Sequence, residues 1–186
     1  MTKRTFNQIK QSIANLLPDN VTGQISAQDV RDVLLDLINT LEPAYSYLKI
    51  GVTPVLKVIG TTPVVLVGWA TSLDSDPSVS VSDKVAGVIT RVQSGVARIT
   101  FQADALVAGN REVTFQVYID GQPTGWVTKA SGVGTSDVVT VNLHSVLEVT
   151  DDSQIDVRLF TNAAGTNVTL TNTALICEYV PVRGNP

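Results

Sequence analysis

Few side chains in this sequence could do chemistry, and each falls short of a complete set. His144 is the only histidine and stands beside Ser145. Nucleophilic catalysis, however, needs a base held against its nucleophile and oriented by a third group, and no such motif surrounds the pair. Cys177 is the only cysteine; in TALICEYV it shares a strand face with Leu175 and Tyr179, which reads as a small buried hydrophobe rather than a reactive thiol. One His and one Cys cannot assemble the usual zinc set. Asp74 with Asp76, and Asp151 with Asp152, fall in turns where a hard cation is conceivable, yet the spacing lacks a full oxygen-ligand loop. They read as solvated turn residues. Trp69 and Trp126 could stack on a sugar if exposed together, although aromatic residues more often fill a core or an interface. SGVGTSD (Ser131 to Asp137) lies between strands, and no glycine-rich loop opens a helix, so no nucleotide site is indicated. The expectation is a non-enzyme with no catalytic residues, no bound metal and no cofactor.

Composition narrows the partners. Hydrophobic residues make up 44% of the 186 and charged ones 16%, enough to bury a core. The net charge is −4 with no basic run to neutralise a row of phosphates, which argues against nucleic acid. The longest apolar stretch, PVVLVGWA (Pro63 to Ala70), is too short to cross a bilayer, so no membrane insertion is expected. The N-terminus MTKRTFNQIKQSIANLL is basic at its start, but its apolar residues are spaced by three and four instead of forming a secretory block. A single cysteine leaves no intrachain disulfide, and synthesis in a cytoplasm fits these features.

Two kinds of element must position whatever function exists. Phe6, Ile9, Ile13, Leu16 and Leu17 follow one helix face, with Thr5 and Gln8 as a capping box. Pro18-Asp19-Asn20 and Gly23 then reverse the chain. Ser26 stands three residues before Asp29, a helix cap that starts a second helix at Ala27. Val30, Val33, Leu34, Leu37, Ile38 and Leu41 line its apolar face until Glu42-Pro43 stops it. Residues 1–43 thus read as a helical hairpin, a unit too small to fold alone. Its striped face, Phe6, Ile9, Ile13, Val30, Val33, Leu34, Leu37, Ile38 and Leu41, is the expected attachment surface.

From Pro43 the period changes to two. ARITFQA points Ala97, Ile99, Phe101 and Ala103 one way, and VTFQVYID does the same with Val113, Phe115, Val117 and Ile119. About eight to ten short strands without an intervening helix predict a mainly β fold, a β-sandwich or jelly roll, preceded by the helical hairpin, and the first resemblance below implies the jelly-roll β-sandwich. The expected division is a helical module over 1–43, a linker and first extended segment over 44–62, and a knob over 63–186.

Two resemblances follow. PVVLVGWATSL, VYIDGQ (Val117 to Gln122), VTDDSQIDVRL and the closing TLTNTALICEYVPV resemble the tumour-necrosis-factor and complement-head jelly roll. LPDNVTGQISAQDVRDVLLDLINTL (Leu17 to Leu41) resembles an N-terminal module of tailed-phage fibre and head-decoration proteins, with matches at Leu17, Pro18, Asn20, Gly23, Ile25, Ser26, Asp29 and Arg31. The second resemblance implies an attachment segment followed by a trimeric knob. Together they imply a virion protein made in the host cytoplasm, a homotrimeric head fibre or capsid decoration protein whose N-terminal module meets the major capsid protein or another virion protein. The alternative is a receptor-binding tail fibre that touches a host surface glycan or protein through loops at Asp74, Gly109-Asn110, Ser131 to Ser136 and Ala163 to Asn167. Val113, Phe115, Tyr118 and Tyr179 are expected in the core or on the three-fold axis.

Overall fold

The structure, a computed structural model, describes residues 11, 13, 15, 26–41, 44–132 and 137–180. Helix α1 spans Ala27–Leu41. Ser26 N–H donates to Asp29 Oδ2 at 2.8 Å and Asp29 N–H donates to Ser26 Oγ at 3.2 Å, so two amides at the helix start find acceptors. The expected first helix over Phe6 to Leu17 and the turn after it lie outside the described residues, apart from helical backbone at Gln11, Ile13 and Asn15.

Two antiparallel sheets follow. The first orders β10 (Val138–Val149), β7 (Gly95–Val107), β12 (Thr166–Val180), β1 (Tyr45–Ile50) and β4 (Thr71–Asp74), with β2 (Val55–Ile59) paired to the leading half of β12. The second orders β5 (Ser80–Asp83), β6 (Val88–Arg91), β11 (Gln154–Thr161), β8 (Glu112–Ile119) and β9 (Gln122–Ser131), with β3 (Val64–Val65) on β11. Every pairing is antiparallel, in keeping with the β-sandwich or jelly roll that alternation alone implied.

Residues 44–62, expected as a linker and first extended segment, carry two strands. β1 sits between β12 and β4, in register from Tyr45↔Glu178 to Ile50↔Thr173, and β2 extends the same sheet. The knob therefore begins at the end of the helical module. The apolar run PVVLVGWA is divided between the sheets: Val64–Val65 pairs with β11, Gly68 turns with φ 94°, and the chain crosses to join β1 through Thr71–Asp74. Its apolar character reflects this crossing, since Leu66 and Trp69 both seal the gap between sheets. These short segments raise the strand number to twelve among the described residues.

The core lies where the alternation placed it. Ala97, Ile99, Phe101, Ala103, Ala105 and Val107 of β7 face Val113, Phe115 and Val117 of β8, and the rings of Phe101 and Phe115 lie 5.4 Å apart, centroid to centroid. Each buried Val, Ile or Phe among them contributes about 1.5–3 kcal/mol. One glycine is required by close approach: Gly87 has φ 75°, and a Cβ there would run into the Leu66 carbonyl that accepts Trp69 Nε1–H at 2.7 Å.

The strands give the sandwich two distinct ends. At the base, Tyr179 N–H donates to Ala44 O at 2.7 Å, so the chain enters beside the strand that closes the fold. Asp152 N–H donates to Arg91 O at 2.6 Å and Ser94 N–H donates to Asp151 Oδ1, which fastens the loop before β11 to the same end. At the opposite tip, Ala108 N–H donates to Asn167 O at 3.0 Å and Gly132 N–H donates to Arg111 O at 2.9 Å.

Candidate functional site

The residues with chemical potential are dispersed. His144 is exposed on β10, with Nδ1 3.2 Å from Thr100 Oγ1. Its neighbour Ser145 points the other way, inward, and is buried. The two cannot act together, because successive strand residues face opposite sides. Cys177 is buried, and its desolvation pushes the thiol pKa up to about 11, so it is neutral and inert in the fold. Three of the four turn carboxylates are occupied by backbone donors: Asp74 Oδ1 accepts Ser82 N–H at 2.9 Å, Asp76 Oδ1 accepts Ser78 N–H at 3.0 Å, and Asp151 accepts Ser94 N–H. Among the described residues no three His, Cys, Asp or Glu side chains gather as a metal set, and no helix is long and apolar enough to cross a membrane. The tryptophans are also separated in role. Trp69 is in the core, while Trp126 on β9 is 43% exposed.

What the fold does offer is surface. The outer face of the β4-to-β10 sheet carries cross-strand rows set by register. One row is Leu73, Tyr47, Ile176, Thr100 and His144. Nearer the tip another is Leu56, Thr169, Leu106 and Val138, with Leu56 62% and Val138 58% exposed. At the side edge, Val146 and Trp126 flank a cleft of about 500 Å³ that Arg98, His144 and Ser145 complete. Exposed apolar residues thus alternate on this face with polar rows that include the Arg98–Glu178 ion pair, at 3.3 Å, and Asp104. The other sheet differs. There Arg158 Nε–H donates to Asp156 Oδ1 at 3.0 Å and its guanidinium covers the Tyr118 ring at 4.3 Å, so charge and aromatic surface satisfy one another. The Asp156 hydrogen bond raises the pKa of Arg158, which stays a cation. Exposed apolar side chains occur on this side as well, among them Val64, Val81 and Val127.

Within the outer face of the β4-to-β10 sheet sits a polar island. Asn172 adopts φ 46° at a bulge in β12, and its Nδ2–H donates to Asp104 Oδ2 at 3.0 Å, while Thr140 Oγ1–H donates to Oδ1 at 2.7 Å. These bonds, that of Thr140 foremost, hold the Asp104 carboxyl below its ordinary value of 3.8.

Of the residues expected at the core or axis, two lie in the core between the sheets and two do not. Val113 and Phe115 are fully buried between the sheets, Tyr179 lies at the base, and Tyr118 lies under Arg158 on the other sheet. None lies on the outer face of the β4-to-β10 sheet. On α1, Val33 is buried, Leu37 half-buried, and Val30 and Leu34 are exposed, as is Ile13 before it. Phe6 and Ile9, and the side chains of Ile38 and Leu41, lie outside the described residues. Of the expected contact loops, Gly109-Asn110, Ser131-Gly132 and Ala163 to Asn167 converge at the tip, whereas positions 133–136 lie outside the described residues. Asp74 does not join them. It pairs with Ser46 at the base end of β4, because β4 runs antiparallel to β1.

VYIDGQ has a mechanical role. Asp120 (φ 52°) and Gly121 (φ 75°) are the two central residues of the β8–β9 hairpin, the backbone for which Asp-Gly is suited. The Asp120 carboxylate then accepts Gln154 N–H at 2.8 Å and Ser153 Oγ–H at 3.1 Å, tying this turn to the start of β11.

No protein-family model and no curated protein matches the chain. Solved structures do share its fold. Eiger TNF from S. frugiperda aligns at 13% identity and TM-score 0.51, over 78% of this chain and 98% of that one. Murine APRIL at pH 5.0 aligns at 14% identity and TM-score 0.53, over 75% and 100%. The globular domain of zebrafish complement 1qA protein aligns at 14% identity and TM-score 0.51, over 77% and 100%. At such identities the likeness is one of fold, and the β-domain of this chain has the jelly-roll fold of the tumour-necrosis-factor and complement-head structures.

Proposed function

We propose that the protein is a non-enzymatic structural component of a tailed-phage virion, a homotrimeric head fibre or capsid decoration protein held to the particle by its N-terminal module. The observation that supports this reading is the set of exposed apolar residues on the outer face of the β4-to-β10 sheet, among them Leu56, Leu73 and Val138. Closed rotational symmetry with three copies needs two different, complementary patches on each protomer. The β9–β10 edge, with Trp126 and Val146, and the broad face around Tyr47 and Ile176 supply such a pair. The resemblance of Leu17 to Leu41 to phage attachment modules supports α1 as the part that meets the capsid, and the chain passes from α1 into the base of the knob, leaving the tip remote from it along the strands.

A second reading, a receptor-binding tail fibre, is favoured by the convergence of three contact loops at that tip. Imaging of labelled protein on intact particles separates the two. Label on the head selects the decoration role and label on the tail selects receptor binding, while particles without label remove the virion reading altogether.

A further inference from the structure

Arg91 ends β6 at the base of the sandwich and is fully buried. Its Nη2–H donates to the Gln93 carbonyl at 3.1 Å, and its guanidinium lies 5.1 Å from the centre of the Tyr179 ring. Nε–H and Nη1–H have no acceptor among the described residues. The ion pairs found among those residues involve Arg98, Lys129 and Arg158, and none involves Arg91. Cys177 and Tyr179 lie beside it, and the acidic Asp76, Asp151 and Asp152 on the adjoining loops form no ion pair with it. A desolvated cation without a counter-charge is among the least favourable arrangements that a core can hold, and donors so placed require an acceptor.

The surroundings specify what that acceptor is. Tyr179 packs with Ala44 and Val79, so one wall is apolar and close. Across the hairpin from Arg91 stands Ser80, whose Oγ lies 2.7 Å from Ser46 Oγ. Ser46 Oγ–H also reaches the Ser80 carbonyl at 3.1 Å. With the Ser46 proton engaged there, the Ser80 O–H is the donor of the 2.7 Å contact, so the two hydroxyls satisfy each other and leave Arg91 Nε–H and Nη1–H to an acceptor from outside the chain. We propose that Arg91 binds a small monovalent anion, chloride in solution, held by its Nε–H and Nη1–H. A halide is small and gives up its hydration more readily than phosphate or a sugar acid, which suits an apolar wall. Bound there, it neutralises Arg91 where β6, β12 and the start of β1 meet, and so acts as a stabilising ligand of the knob's base.

The test is thermal unfolding of the full-length protein at constant ionic strength, with sodium chloride exchanged stepwise for sodium gluconate and, separately, for sodium bromide. Specific binding raises Tm with chloride along a saturating curve, by on the order of 5 °C at a hundredfold excess over Kd, and bromide substitutes for chloride. R91M keeps the length of the side chain and removes its charge; it should fold and show no chloride dependence. If R91M does not fold, bromide anomalous scattering from wild-type crystals gives the second measurement, with a peak beside Arg91 expected. A wild-type Tm that is flat between chloride and gluconate overturns the proposal, as does a chloride response that persists unchanged in R91M or a bromide map without that peak.

Discussion

Asp104, Asp120, Gly87 and Cys177 each turn a sequence position into a measurable property. The Asp104 carboxyl is held below its ordinary value by Thr140 and Asn172, so its folded pKa is lower than its unfolded one. Its contribution to stability is present above the unfolded value near 3.8 and is lost as pH falls through the folded value. The stability advantage of wild type over Asp104→Asn in urea should therefore be greatest near neutral pH and shrink steadily below about pH 4. A constant difference across that range would contradict it. Asp120→Ala removes an acceptor from Ser153 and Gln154 and places a less tolerant residue at φ 52°; a loss of about 1–3 kcal/mol is expected, with Asp120→Asn recovering part. Gly87→Ala should cost at least about 1–3 kcal/mol, because both its φ and the Leu66 carbonyl oppose a Cβ. The Cys177 thiol should react with a disulfide reagent at neutral pH only as fast as the knob opens. His144 and Ser145 are adjacent in the chain and opposed in space, a consequence of strand alternation that the sequence pattern already contained.

At the level of elements, α1 and the outer face of the β4-to-β10 sheet both carry exposed apolar residues. Val33→Asp together with Leu37→Asp should leave the knob folded and trimeric yet abolish incorporation into particles, as judged by co-sedimentation with heads. Retained incorporation would sink the attachment reading of α1. The helix start was legible because a cap is a contact between residues three apart. The Asp-Gly hairpin was legible for a similar reason, since its two residues dictate their own backbone angles. PVVLVGWA was not. A continuous apolar run has no period to distinguish a buried strand from a crossover between sheets, and only the pairing of Val64–Val65 with β11 and of Thr71–Asp74 with β1 separates them.

For the whole molecule, the expected assembly is a trimer in which the β9–β10 edge of one copy meets the outer β4-to-β10 face of the next. Native mass spectrometry of the full-length protein at micromolar concentration should give the trimer mass. Ile176→Asp combined with Trp126→Asp should give a monomer with an unchanged far-ultraviolet spectrum. A wild-type monomer under these conditions would remove the trimer. Because base and tip are opposite ends of the same strands, attachment and outward presentation can proceed without competing for surface.

The sequence by itself determined the mainly β class, the inward faces of β7 and β8, the second helix with its Ser26–Asp29 cap and the Asp120-Gly121 turn. All of these depend on residues a few positions apart, where spacing and local backbone preference act directly. Tertiary structure decided that residues 44–62 belong to the sheet, that Asp74 lies at the base instead of the tip, which strands share each sheet face, and that Arg91 is buried against Tyr179. Those outcomes rest on partners as remote as Ser46 and Cys177, and no local period encodes which distant strand a segment will join.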